Sequence, residues 1–149
     1  MCLRDDTKIF VLAKTIQFDH YFPVAVGEAL GLFHALQSMQ DMHFNYIDFE
    51  LDSKVTRDAF HSHHIDITEF GSIVTACREM FSTSFPNSRV EFIRRQANSA
   101  AHALVREAIS LASPTTYYII PICIEHIIIN EMLYALFSKK SILFNNGSC

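Results

Sequence analysis

Hydrophobic residues recur along this chain with two different periods, and each period predicts a different element. In residues 46–52 they alternate with polar residues, so that Ile47, Phe49 and Leu51 share one side, which is typical of a β-strand. In residues 23–42 they recur at steps of three and four, as on one face of an α-helix. That face carries Ala25, Ala29, Leu32, Leu36 and Met39, and Glu28 lies one turn before Leu32 on the same side.

The same patterns predict the other elements. Two strands, in residues 2–4 and 9–13, flank a polar hairpin turn, and a further strand covers residues 89–94. Helices are predicted over residues 55–62, 68–82 and 99–112. We expect Asp66 or Thr68 to cap the second of these, Asn98 to cap the third, and Ser113-Pro114 to stop it. The order predicts an α/β fold, with a central sheet covered by helices.

Composition limits the class of protein. At 149 residues and 50% hydrophobic residues, the chain has enough apolar surface for one globular domain. Its formal net charge is −4 and its pI is near 6.0, the wrong sign for a protein that attracts nucleic acid by bulk charge. Any nucleic-acid binding must therefore be local.

Cysteine usage and the chain ends predict an intracellular, cytoplasmic or nuclear protein. The four cysteines lie far apart without a CxxC pair, and the first residues resemble neither a signal peptide nor a transit peptide. Residues 117–137 are apolar and long enough for a membrane span, but polar residues interrupt them. These are Pro121, Glu125, His126, Asn130 and Glu131. We therefore expect a strand or a packed segment there, and no membrane partner.

Several short motifs occur in a recognisable order. They are Leu3-Arg4-Asp5, Gly27-Glu28-Ala29-Leu30, Phe49-Glu50-Leu51-Asp52-Ser53-Lys54, Arg95-Gln96-Ala97-Asn98 and Ala101-His102-Ala103-Leu104. Together they resemble the plant-type ribonuclease H-like domain, also called reverse-transcriptase-like and similar to ribonuclease H type 1. The resemblance covers about residues 2–112 and implies a ribonuclease H-like mixed central sheet covered by helices. The chain starts at the family's second strand, so we expect an N-terminally truncated domain at 1–112 with the first strand missing, and a C-terminal extension at 113–149.

The resemblance implies a metal-dependent endonuclease acting on the RNA strand of RNA–DNA hybrids with two Mg²⁺ ions, or Mn²⁺. By position, Glu28 and Asp52 are the implied catalytic metal ligands. The alternative is a solvated Glu in the first turn of a helix and an Asp that starts a turn. His102 stands where the family's last helix carries an Asp, and imidazole is a poor Mg²⁺ ligand. Because that Asp and the first strand's Asp are both absent, we expect weak or lost cleavage.

Four further residues are candidates for nucleic-acid binding, to a hybrid or to RNA. Arg94 and Arg95 suit phosphate, and Asn98 and Ser53 suit sugar or phosphate oxygens. The alternatives are a helix cap for Asn98 and ordinary surface charge for the arginines. Two rival hypotheses to the enzyme follow: a non-catalytic nucleic-acid-binding module, and a gene-fragment product with no function of its own.

Other chemistries have weaker support. His61, His63 and His64 with Cys77 suggest zinc, but their spacing fits no standard motif, and a polar loop between helices is the better interpretation. Neither GxSxG nor GxGxxG occurs among the four glycines, which argues against a hydrolase nucleophile elbow and a dinucleotide-binding loop.

Overall fold

The computed structural model describes residues 1–111 and 113–144, and these fall into two compact units. The first unit combines Met1–Phe18 with the chain from Ser99 onward, and the second is Asp19–Asn98. Both contain strands and helices, so the predicted mixed α/β class is confirmed.

A three-stranded antiparallel sheet forms one side of the first unit. Strands β1 (Cys2–Arg4) and β2 (Phe10–Thr15) make the predicted hairpin, and β5 (Thr115–Tyr117) pairs with the other edge of β2. In the turn, the Asp5 carboxylate accepts hydrogen bonds from the backbone N–H groups of Thr7, at 2.9 Å, and Ile9, at 2.8 Å. Lys8 follows with a φ of 67°, a left-handed conformation that closes the turn.

In its described residues, the first unit also contains the helices α4 (Ser99–Ala108) and α5 (Ile122–Phe144). Small and aliphatic side chains form its core. They are Ala13, Ala100, Leu104, Ile124 and Ile128. Ile124 and Ile128 of the apolar tail thus pack into this core, as expected of a packed segment, and the alternative of a strand is wrong for residues 122–137, which are helical. An ion pair between Arg4 and Glu131 joins β1 to α5. None of the helices in the described residues has both the length and the apolar character that crossing a bilayer requires.

The second unit is built around a pair of parallel strands, β3 (Asp48–Leu51) and β4 (Arg89–Phe92). Three α-helices accompany them: α1 (Val24–Asp41), α2 (Lys54–His61) and α3 (Glu69–Ser84), and a 3₁₀ helix covers Arg95–Asn98. Helices α1 and α3 pack against each other. The predicted apolar face of α1 is confirmed, since Ala29, Leu32, Leu36 and Met39 are buried.

The start of α3 shows how the sequence sets a helix boundary. The Thr68 hydroxyl caps the helix by accepting a hydrogen bond from the Gly71 N–H at 3.2 Å, and Asp66 accepts one from the Thr68 N–H at 2.9 Å. Of the two predicted caps, Thr68 is therefore the capping residue. A side chain at position 71 would place its Cβ 2.2 Å from the Asp66 carbonyl oxygen, so this close approach requires glycine.

The predicted order of the eight strands and α-helices from β1 to α4 is confirmed, and one helix end is wrong. The helix predicted to reach Ala112 ends at Ala108, and Ala112 itself lies outside the described residues. The Gln17 side-chain amide donates to the carbonyl oxygens of Ala108 and Leu111, so the chain leaves the helix before Ser113-Pro114. The proposed division at residue 112 stays a prediction.

Candidate nucleic-acid interface

Polar side chains follow both strands of the parallel pair, at the point where each strand ends. Asp52 comes directly after β3, and Arg94 and Arg95 come shortly after β4. The carboxyl ends of parallel neighbours meet at the same edge of a sheet, which is where ligands bind in open α/β folds. The last backbone bond of this pair runs from the Ile93 N–H to the Leu51 carbonyl at 2.8 Å. The residues that follow both strands are thereby held close together.

A side-chain hydrogen bond joins the two chain segments just beyond that edge. The Asn98 amide nitrogen donates to Asp52 Oδ1 at 3.0 Å, and both residues are half-buried. Asn98 ends the 3₁₀ helix and directly precedes α4, close to where the sequence predicts a cap. Its amide N–H, however, binds Asp52. The two residues are 46 positions apart, and no motif in the sequence links them. The signal that would have joined them is that both follow strands of one parallel pair.

Ser53 has a structural role of its own. Its Oγ accepts a hydrogen bond from the Thr56 N–H at 3.3 Å and lies 2.8 Å from Thr56 Oγ1, which makes Ser53 the N-cap of α2. Thr56 is fully buried, so this hydroxyl pair anchors the start of α2 directly after Asp52. A ligand at Ser53 must therefore share a hydroxyl that the helix already uses.

Arg94 and Arg95 are exposed, and they differ from Arg57 and Arg89 of the same unit. In the described part of the chain, neither guanidinium has a carboxylate within ion-pairing distance, whereas Arg57 pairs with Asp58 and Arg89 with Asp48. The Arg94 carbonyl accepts a hydrogen bond from the Ala97 N–H at 2.8 Å, which fixes the turn that presents both residues. Two uncompensated positive charges thus follow the end of β4.

The other two predicted catalytic residues lie on helices. Glu28 is half-buried on α1 and lies beyond the first turn, because α1 begins at Val24 and its first turn has no acidic residue. Glu28 therefore does not lie in the first turn of the helix, the position that the alternative gave it. His102 is half-buried on α4 and belongs to the first unit, whereas Glu28 and Asp52 belong to the second.

A metal needs several donors in one place. Among the described residues, no three of His, Cys, Asp or Glu are grouped so that they could hold a metal ion. Glu28 and Asp52 alone do not supply the set of oxygen donors that Mg²⁺ prefers, so this donor set does not fit the ion that the resemblance implies.

The structure also argues against the zinc site suggested by the histidines and Cys77. The Cys77 thiol is buried and lies 3.9 Å from the Ala29 carbonyl oxygen, and burial raises its pKa to about 12. A thiol with such a pKa is a poor source of the thiolate that zinc binds. The histidines lie at the end of α2 and in the loop before α3, as the polar-loop interpretation predicts.

Comparison with known proteins assigns the family. A search of curated proteins and a search of solved structures gave no significant match. The family model described as reverse transcriptase-like matches residues 1–108, which is most of the chain and includes all the predicted site residues. The chain therefore belongs to the reverse transcriptase-like family, and its domain is ribonuclease H-like.

Proposed function

We propose that this domain binds the RNA strand of an RNA–DNA hybrid at the carboxyl edge of the β3–β4 pair, and that it cleaves the strand weakly or not at all. The family supports the coarser statement, a nucleic-acid-binding or nuclease-like function. The observation that carries the proposal is the Asp52–Asn98 hydrogen bond beside two exposed arginines without carboxylate partners among the described residues.

Each group has a chemical task in this proposal. The Arg94 and Arg95 guanidinium groups present planar donors suited to phosphate oxygens. The Asn98 amide has a second N–H and a carbonyl oxygen, which suit a ribose 2′-hydroxyl, the group that separates RNA from DNA. The bond to Asp52 fixes the orientation of that amide. Because the net charge is −4, binding depends on these local cations and falls steeply with salt.

Cleavage is the weaker half of the proposal. Hydrolysis in this family would use Mg²⁺, or Mn²⁺, with Glu28 and Asp52 as ligands and His102 in place of a further carboxylate. A metal pair, if it were bound, would supply Lewis-acid chemistry for the hydrolysis. Two carboxylates supply fewer hard donors than a site for such a pair needs. We therefore expect the domain to bind the hybrid but to cleave it weakly or not at all.

The binding experiment uses a fluorescently labelled hybrid at low salt with EDTA. We expect Arg95→Ala to weaken binding by about 5- to 10-fold and to reduce the slope of log affinity against log salt by about one. Arg106→Ala, an exposed arginine on α4, is the matched control and should change little. No detectable binding by the wild-type protein at low salt would refute the proposal and favour the gene-fragment hypothesis.

The cleavage experiment separates an enzyme from a binding module. The same hybrid is incubated with the protein and Mg²⁺ or Mn²⁺, and Glu28→Ala and Asp52→Ala are tested beside the wild type. Hybrid binding with little or no cutting is the expected result. Robust cutting that both substitutions abolish would show an active enzyme and overturn the expectation of weak activity.

A further inference from the structure

A cavity of about 540 Å³ lies in the second unit, beside the outer edge of β4. Its lining comes from α2, α3 and the segment that contains β4. The residues that matter below are Arg57, His61, Phe81, Arg89, Glu91 and Phe92. Ligand sites in proteins fall in the range of about 300–1,000 Å³, so the cavity has the size of a small-molecule site. None of Ser53, Arg94, Arg95 or Asn98 lines it, which makes it separate from the proposed hybrid interface.

One wall of the cavity comes from α2. Arg57 and His61 are four residues apart on α2 and therefore lie on the same face of the helix. Arg57 holds Asp58 through one guanidinium nitrogen at 2.8 Å, in an exposed pair that leaves further N–H donors. Arg89 is more fully engaged: it holds Asp48 through two nitrogens, at 3.1 and 2.7 Å, and Glu91 lies 3.7 Å away. Arg57 is thus the arginine best able to accept a new anion.

The adjoining wall is the outer edge of β4, where the backbone groups do not face β3. In the parallel register, the backbone groups of Arg89 and Ile93 face β3, so those of Val90 and Phe92 face away from it. The Val90 carbonyl accepts a hydrogen bond from His61 Nε2 at 2.8 Å. The Phe92 N–H and carbonyl lie two residues further along the same edge. A donor and an acceptor side by side match the hydrogen-bonding edge of a purine base.

Two aromatic residues, Phe81 and Phe92, also line the cavity. Phe81 packs edge to face with Phe60, with ring centroids 5.3 Å apart, and so belongs partly to the core. Phe92 lines the cavity and is 38% exposed, so part of its side chain is accessible to a ligand. Aromatic rings next to cations are the usual means by which proteins hold a stacked base with its phosphate.

We propose that this cavity binds a purine nucleotide, with the base on Phe92 and the outer edge of β4 and the phosphate on Arg57. The nucleotide is either a free mononucleotide or one residue of a single strand, because the same chemistry recognises both. The site goes beyond the proposed function and does not depend on hybrid binding or on cleavage.

The test is a titration of ¹⁵N-labelled protein followed by NMR. Adenosine 5′-monophosphate should shift the amide signals of Val90 and Phe92. Arg57→Ala should weaken its affinity about tenfold, whereas Arg57→Lys should retain most of it, since the charge is kept. Arg106→Ala is the control and should bind as the wild type does.

Adenosine without phosphate should bind about tenfold more weakly. A 5′-phosphorylated tetraadenylate that binds more tightly than the monophosphate would identify a strand as the source, and equal affinity a free nucleotide.

Three results would overturn the proposal. The first is no shift at Val90 or Phe92 with millimolar adenosine 5′-monophosphate. The second is equal affinity for adenosine and its monophosphate, which would exclude a phosphate contact. The third is unchanged affinity in an Arg57→Ala protein whose thermal unfolding matches that of the wild type.

Discussion

The two sheets of this protein differ in how their strands run, and the difference decides where a site can form. In the antiparallel set, β1, β2 and β5 alternate in direction, so the carboxyl ends of neighbours lie at opposite edges. In the parallel pair, β3 and β4 end together, and Asp52, Arg94 and Arg95 follow those ends. The candidate interface thus results from strand direction rather than from any one motif.

The two units also differ in the side chains that fill their cores. The first unit is packed mainly with alanine, leucine and isoleucine. In the second, aromatic rings surround β3: Phe49 lies 5.3 Å from Phe85 and 6.2 Å from Phe81, measured between ring centroids. These rings hold the strand whose end carries Asp52. The stability of the candidate interface should therefore depend on aromatic packing.

The largest predicted effect comes from removing the central ring. Phe85 is fully buried, and Phe85→Ala should lower the free energy of unfolding by about 3–5 kcal/mol, because it removes ring contacts and leaves a cavity. Urea denaturation followed by circular dichroism measures this. Phe85→Leu is the control and should cost about half as much, since it restores most of the volume. A loss below 1 kcal/mol for Phe85→Ala would show that the aromatic cluster does not support this unit.

The next effect concerns the side-chain bond at the strand ends. Asn98→Ala leaves the half-buried Asp52 carboxylate without one of its donors, and should cost about 1–3 kcal/mol of stability. Gln96→Ala removes an exposed amide from the same 3₁₀ helix and should change stability by less than about 0.5 kcal/mol. If both substitutions lowered the free energy of unfolding equally in urea denaturation, the Asp52–Asn98 bond would make no specific contribution to stability.

The sequence predicted much of the fold because the relevant signals are local. The Asp5 turn, the apolar face of α1 and the Thr68 cap each depend on residues close together in the chain, and the structure has all three. The secondary structure of the tail was harder to predict. Residues 122–144 are apolar on most sides, so periodicity alone did not distinguish a helix from a strand, and β5 has only three residues.

The site was harder to predict than the fold because it depends on pairing between distant residues. Asp52 and Asn98 are 46 positions apart, and only the β3–β4 register brings them into contact. The cavity beside β4 likewise forms between elements that are distant in the sequence. The bond between His61 on α2 and Val90 on β4 connects residues 29 positions apart. Motifs named the candidate residues, but they carried no information about which of them touch.

A smaller effect distinguishes the two roles of Ser53. Ser53→Ala removes the cap of α2 and should cost about 1 kcal/mol of stability. Ser53→Asp keeps a capping oxygen, so stability should stay within about 0.5 kcal/mol of the wild type, but its negative charge should weaken hybrid binding. Thermal unfolding and the labelled-hybrid assay measure the two quantities separately. Unchanged hybrid affinity in Ser53→Asp would assign Ser53 to the helix cap alone.

The smallest predicted effects are gains, one in each unit. Lys8, in the hairpin turn, and His43, just after α1, have φ values of 67° and 61°, which L-residues adopt at a cost. At the end of α1, the His43 N–H bonds to the Gln40 carbonyl and the Phe44 N–H to the Met39 carbonyl, both at 3.0 Å, a helix end that glycine usually occupies. Lys8→Gly and His43→Gly should each stabilise the protein by about 0.5–1 kcal/mol, because relief of this strain exceeds the added flexibility of the unfolded chain.

Alanine at the same two positions separates backbone relief from loss of the side chain. Lys8→Ala and His43→Ala keep a Cβ in the left-handed region, so neither should gain stability, and urea denaturation of all four variants gives the comparison. Because the strain is local to each turn, the gains should be similar in the antiparallel and the parallel unit even though their cores differ. A gain at one position and a loss at the other would instead mean that the surrounding unit, and not φ, sets the energy of these turns.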